Sequence, residues 1–246
     1  MHTFYRLTMS ETKLFFREPL GVFFTLAFPP ILLVILGSIP SFREPSADIG
    51  GLRVIDLYAP IIVAMAIALL ALNGLPQSLA TYREKGILRR LRTTPVRPSR
   101  MLGAQLVMCV GASIVVMLIV QAISRIAFDV PLPGQVGGYL LGYVLSSMSM
   151  LALGLLIASL APSGKGAGAI GSVLFFPVVF FAGLWAPRET MPEILRRISD
   201  FTPLGAGVQS LQDATAGHWP QLLHLAVMAG WTIIAGGLAA RYFRWE

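Results

Sequence analysis

The sequence predicts an all-α integral membrane protein, and three observations predict it. Of its 246 residues 55% are hydrophobic and only 13% are charged, about half the roughly 25% of a soluble domain. Its mean hydropathy is +0.73, which excludes both an ordinary soluble domain and a disordered chain, since disorder needs low hydrophobicity. The 31 charged side chains, 19 basic and 12 acidic, are not scattered but leave six long gaps. Transmembrane strands are excluded, because they would appear as segments of about ten residues alternating in polarity.

The gaps give the elements in order. Runs without Asp, Glu, Lys or Arg extend over Pro19–Phe42, Leu57–Tyr82, Met101–Ser124, Val130–Gly164, Gly166–Pro187 and Ala214–Ala240. Each reaches the roughly 20 helical residues that a 30 Å hydrocarbon core requires. A charge at its centre would cost about 2.5 kcal/mol or more on insertion scales. Pro131 and Pro133 trim the fourth span to Val136–Leu160. The first run lacks a small-residue cleavage site and is read as a retained span kinked at Pro29-Pro30 rather than a signal peptide.

Residues 1–18 alternate Phe4, Tyr5, Leu7, Leu14, Phe15 and Phe16 with charges, which predicts an interfacial helix ending at Pro19; a frayed tail is the alternative. Residues 188–215 are too polar to cross. Thr190 is read as a helix cap, Ile194, Leu195 and Ile198 as an apolar stripe, Pro203 as the stop, and Leu204–Asp213 as a second short helix. A solvated loop is equally compatible with that segment. The whole of 1–246 reads as a single transmembrane domain.

Lys and Arg counts set the orientation. With the N-terminus inside, 13 fall on the cytoplasmic side and 6 on the outer side, so the positive-inside rule puts both termini in the cytoplasm of a plasma (inner) membrane, multi-pass protein.

Several chemistries are missing. The spans hold no Asp, Glu, Lys or Arg, which disfavours a proton- or ion-coupled transporter. The single cysteine, Cys109, excludes a disulfide within the chain and a multi-thiolate zinc site. His218 and His224 stand six apart, on different sides of a helix, with no carboxylate nearby on the same face, and are read as interfacial. Gly166–Gly171 fits GxGxxG, but a membrane span precedes it rather than a strand, so it is read as a small-residue packing stretch, like Gly138 and Gly142. Gly164-Lys165 is followed by Gly166, so there is no Walker A sequence. No metal, cofactor or catalytic residue is expected on this chain. Asn73, Gln77, Gln105 and Gln121 are the candidate pathway residues, with interhelical hydrogen bonding as the alternative role.

The one concentrated charge feature is Arg83–Arg100, REKGILRRLRTTPVRPSR, with seven basic residues and one acid in 18. Ile87, Leu88 and Leu91 predict a short amphipathic helix that Pro95 terminates. Composition alone leaves lipid-headgroup contact open, and the loop lacks the aromatic residues or fold of a nucleic-acid binder. Its order is more specific. Glu84-Lys85-Gly86, the Arg89-Arg90-Leu91-Arg92 run and Thr93-Thr94-Pro95 between the second and third spans closely resemble the cytoplasmic signature of type-2 ATP-binding-cassette transporter permeases. The interfacial helix, the six spans, the Ser159–Pro162 turn and the polar segment before the last span are similar to that family across the chain, most of all to its small antibiotic- and drug-export permeases of actinobacteria.

The resemblance implies the membrane subunit of an ATP-driven exporter of lipophilic or amphipathic compounds, not itself an enzyme. Separate ABC ATPase subunits would bind ATP and Mg, and a second copy or a paralogue would complete the pathway. The family's coupling helix falls on Glu84–Thr93, which makes Arg83, Glu84, Lys85, Gly86, Leu88, Arg89, Arg90, Leu91, Arg92, Thr93 and Pro95 the expected ATPase-coupling residues. Alternatives are a polysaccharide or lipid-linked glycan exporter of the same superfamily, and a membrane scaffold or sensor whose basic loop binds a partner.

Overall fold

A computed structural model describes residues 2–91 and 98–243. Every regular element among them is helical. Among the described residues six helices are long and apolar enough to cross a membrane, and the chain is a multi-pass membrane protein. Helix α1 (His2–Phe16) precedes the first span, α2 (Pro19–Gly37). The buried side of α1 centres on Glu11, flanked by half-buried Leu7, Thr8, Thr12 and Phe15, while Leu14 and Phe4 are exposed. In α2 the expected proline kink is absorbed one turn earlier, as a π-helical turn over Phe23–Ala27 whose closing N–H, from Phe28, bonds to the Phe23 carbonyl. Pro29 and Pro30 have no N–H to continue the normal ladder, so the preceding turn widens.

The second span, α3 (Val54–Glu84), is the hub. It packs against α2, α5, α6, α7 and α9, defined below, and nearly all its residues from Ile55 to Leu72 are buried. Arg53 opens it by pairing with Asp56 (2.6 Å) and donating to the carbonyls of Phe128 and Asp129 (both 3.1 Å), which fastens its start to the end of the third span. The Asp56 hydrogen bond raises the Arg53 guanidinium further above its ordinary pKa. A second π-turn, Leu70–Gly74, interrupts α3 near its middle. There two neighbours come closest: Cβ atoms at Gly154 and Gly171 would run into the carbonyl oxygens of Ala71 and Leu72. The small-residue stretch of the fifth span thus serves helix contact.

After α3 come the short α4 (Ile87–Leu91), the third span α5 (Pro98–Phe128), the fourth α6 (Val136–Leu160) and the fifth α7 (Gly164–Phe181). Helices α8 (Glu193–Phe201) and α9 (Pro203–Thr215) lead to the last span, α10 (Leu222–Tyr242). The outer faces of the spans are oily: Leu20, Ile35, Leu118, Val173 and Ile233 are all exposed, as a helix in hydrocarbon requires.

Residues 188–215 form neither a solvated loop nor quite the predicted pair. Thr190 does not cap a helix. It closes a single 3₁₀ turn, and α8 starts at Glu193 after Pro192. Pro203 opens α9 rather than ending α8, because its missing N–H is one of the four that a helix start leaves unbonded. Thr202 caps α9 by accepting from the Gly205 N–H at 3.1 Å. Helix α9 is then buried from Pro203 to Leu211. It sinks between α6, α10 and α3, with Gly142 of α6 against Ser210 and Gly207 of α9 against Ser146.

Candidate functional site

The basic end of α3 is built by one left-handed residue. Lys85 ends the helix, and Gly86, at φ +66°, turns the chain into α4. A side chain there would cost about 1–2 kcal/mol, which accounts for glycine within Glu84-Lys85-Gly86. The Arg90 N–H then bonds back to the Gly86 carbonyl at 3.1 Å, starting α4. Leu88 is buried and anchors α4, whereas Lys85 and Arg90 are exposed. Arg92, Thr93 and Pro95 lie outside the described residues, as do the side chains of Arg89 and Leu91.

Half-buried Arg83 and exposed Glu84 both reach across to the turn between α6 and α7. Arg83 donates to the carbonyls of Ser159 (3.4 Å) and Ala161, at the end of α6. Glu84 Oε2 accepts from the Gly164 N–H at 3.0 Å, at the start of α7. Helix α1 meets the same end of the molecule. The Tyr82 hydroxyl donates to Glu11 Oε2 at 3.0 Å, and a Cβ at Gly103 of α5 would lie 3.3 Å from the Phe4 ring. Burial pushes the Glu11 carboxyl above its ordinary pKa, opposed by the Tyr82 hydrogen bond.

The four candidate pathway residues separate into two groups. Asn73 and Gln77 share one strip of α3. At its π-turn, this span, buried up to Leu72, exposes Gly74 and Gln77 and leaves Asn73 half-exposed. The adjoining part of α7 supplies exposed Ser172, whose hydroxyl donates to Asn73 Oδ1 at 3.1 Å, and Gly168, against which Gln77 rests. Exposed Val173 and Phe176 flank the strip. Gln105, by contrast, is fully buried with its Oε1 unpartnered, and Gln121 is half-buried on α5. The structure does not bring these two to the strip.

The opposite end holds a polar network that the sequence did not reveal. His224, read as interfacial with no carboxylate nearby on its helix face, is buried with Nε2 3.3 Å from Asp200 Oδ1, on a different helix. Arg188 pairs with the same carboxylate and donates to Gln209 Oε1 at 3.4 Å. Gln209 continues to Gln212 at 2.8 Å, and Gln212 to the Leu57 carbonyl at 3.3 Å. The Ser199 hydroxyl donates to the Phe181 carbonyl at 2.6 Å, and Trp231 Nε1 to that of Phe201 at 2.9 Å. Helix α8 is thereby fastened to α7 and α10. The signal was a spacing between separate helices, 24 residues from Asp200 to His224, which no single-helix periodicity shows. His218 is exposed beside Trp219. Among the described residues no cluster of His, Cys, Asp and Glu has a geometry that would hold a metal ion.

The sequence pattern of the ABC-2 type transporter family matches residues 2–215. The chain is similar to the inner membrane transport permease YhhJ of Escherichia coli (strain K12), with 26% identity over 175 residues, covering 67% of this chain and 46% of that relative. It is also similar to the daunorubicin resistance ABC transporter permease protein DrrB1 of Streptomyces coeruleorubidus, with 23% identity over 201 residues, covering 77% of this chain and 69% of that one. The match thus spans less than half the length of YhhJ.

Proposed function

The chain belongs to the ABC-2 type transporter family, and from that membership we propose that it is the membrane permease subunit of an ATP-driven exporter of lipophilic or amphipathic compounds, drug-like or lipid-like. The subunit hydrolyses no ATP itself. Separate ATPase subunits bind ATP and Mg and dock on α4, and a second copy or a paralogue faces the strip of Asn73, Gln77 and Ser172. Both termini and the basic helix lie on the cytoplasmic side, as 13 inner against 6 outer Lys and Arg favour.

One observation carries this reading. The basic helix α4 is joined through a single glycine to α3, the span in contact with four of the other five and the bearer of the exposed polar strip. A push on α4 therefore reaches the strip through one packed helix, and packed helices shift as rigid bodies rather than deform. A hydrocarbon-facing position would gain nothing from Asn or Gln, whereas a pathway for amphiphiles needs a few polar contacts on an apolar wall. The relative's drug-resistance name favours drug-like cargo.

The test is co-expression with the ABC ATPase subunits of the source genome and uptake of daunorubicin, as a fluorescent probe, into inverted membrane vesicles. ATP-dependent uptake that requires both subunits is expected. Failure of the ATPase to co-purify with the chain overturns the reading.

A further inference from the structure

The hydrogen bonds of Arg83 and Glu84 fit a purpose other than ATPase docking. Helix α6 ends at Leu160 and α7 begins at Gly164, so the turn between them brings the carbonyl end of one helix beside the N–H end of the next. Helix ends carry opposite partial charges, negative where carbonyls are left over and positive where N–H groups are. Arg83 takes the carbonyl end, through Ser159 and Ala161, and Glu84 takes the N–H end, through Gly164. Two adjacent residues of opposite sign thus straddle one turn, each on the helix end that its charge suits. Ser163 caps a second N–H of α7, that of Gly166, at 3.1 Å, so Glu84 adds a cap from another helix to one already in place.

The backbone approach is equally close. A Cβ at Gly164 would strike the Thr81 hydroxyl, and the Gln77 carbonyl would stand 3.3 Å from it. The last turn of α3 therefore grips the start of α7 by side chain and by surface. Three residues beyond Glu84, α4 begins.

We infer that Arg83 and Glu84 are positioning residues that couple movement of α4 to the fifth span, by clamping the α6–α7 turn, and that they do not contact the ATPase. The inference rests on the permease reading and deepens it. The helix that the clamp moves, α7, forms the other wall of the polar strip through Ser172 and Gly168. A push on α4 reaches both walls, one through α3 itself and the other through Glu84. ATPase contact is left to the exposed Lys85 and Arg90 face.

The experiment compares the complete wild-type complex with Glu84→Ala, Glu84→Gln and Gly164→Ala complexes in vesicles, measuring co-purified ATPase, ATP hydrolysis and daunorubicin uptake. Glutamine keeps an acceptor oxygen for the Gly164 N–H and loses the charge. The clamp predicts full ATPase recovery in all variants, continued hydrolysis, and about tenfold less uptake per ATP hydrolysed in Glu84→Ala and Gly164→Ala, with Glu84→Gln restoring most of it. Loss of bound ATPase in Glu84→Gln and Glu84→Ala alike overturns the clamp in favour of charge docking, and normal uptake in Glu84→Ala overturns it outright. A wild-type chain that binds no ATPase instead overturns the permease reading itself, and the clamp with it. Hydrogen exchange of the wild-type complex guards against variants that fail to fold. ATP with vanadate should alter exchange at residues 87–91 and 160–167 together, and a change confined to 87–91 overturns the clamp.

Discussion

Pro76 has no N–H for the carbonyl of Leu72, four residues earlier, and that carbonyl faces Gly171 of α7. The neighbouring Ala71 carbonyl is in the same position, because the Leu75 N–H is drawn back to Leu70 by the π-turn, and it faces Gly154 of α6. Two carbonyls released by one irregular turn thus each meet a glycine, whose Cα–H is the weak donor that fits at that range.

Gly171→Ala and Gly154→Ala should therefore each destabilise the protein by about 1–3 kcal/mol, the usual cost of overpacking. Gly111 of α5, whose Cβ would meet nothing within 4 Å, is the control. Gly111→Ala should be neutral or stabilising by up to about 1 kcal/mol. Thermal unfolding in detergent separates the three, and equal midpoints would refute the close-approach account.

The pairing of Glu11 with Tyr82 gives a pH dependence. Burial raises the Glu11 pKa, so the folded protein holds this proton more tightly than the unfolded chain does. The stabilisation is full below the unfolded carboxylate range and is lost as pH rises through the raised folded value. Glu11→Gln keeps an acceptor for the Tyr82 hydroxyl and removes the titration. It should raise the melting point above that of wild type at pH 8 and show no advantage at the lowest pH where the protein stays folded. Parallel melting curves across pH would contradict the assignment.

Asp200 serves two helices through Arg188 and His224. Asp200→Ala leaves the half-buried Arg188 without its carboxylate, a loss of about 1–3 kcal/mol. The first region to loosen should be residues 188–215, seen as faster hydrogen exchange and proteolysis there before the spans unfold. Unchanged protection of that segment would show that the network holds nothing in place.

Asn73 and Ser172 separate transport from stability. An interhelical hydrogen bond in a membrane protein contributes about 0.6 kcal/mol on average, so Asn73→Leu should scarcely move the melting point. If the strip is the pathway, daunorubicin uptake falls while ATP binding by the complex is unchanged. Gln121→Leu, away from the strip, should leave uptake near wild type.

Charge position made the six spans legible, since a gap between charges is a direct reading of depth in hydrocarbon, and the fourth span falls on Val136–Leu160 in both sequence and structure. Gly86 was legible as part of a motif, and its positive φ supplies the reason. The π-turns were not, because the sequence marks them only with prolines that periodicity reads as a kink. Helix α9 was harder still: Gln209 and Ser210 look solvated in a polar segment, yet they are buried by contacts with α6 and α3 that lie far away in sequence. The facing of Arg83 and Glu84 was invisible for a related reason, since sequence gives their charge and not which neighbouring helix ends stand beside them.

Each residue of an α-helix advances the chain by about 100° around its axis, so a turn that takes in one residue more than its neighbours acts as a fixed rotation on everything after it. The turn at Leu70–Gly74 lies between the buried upper half of α3 and the segment that ends in Arg83 and Glu84. Removing a single apolar residue there would scarcely change composition or hydropathy and would leave the basic motif intact. It would swing Arg83 and Glu84 about a quarter-turn away from the helix ends they hold. Whether this end of the molecule engages its neighbours is therefore set by a count of residues as much as by their chemistry.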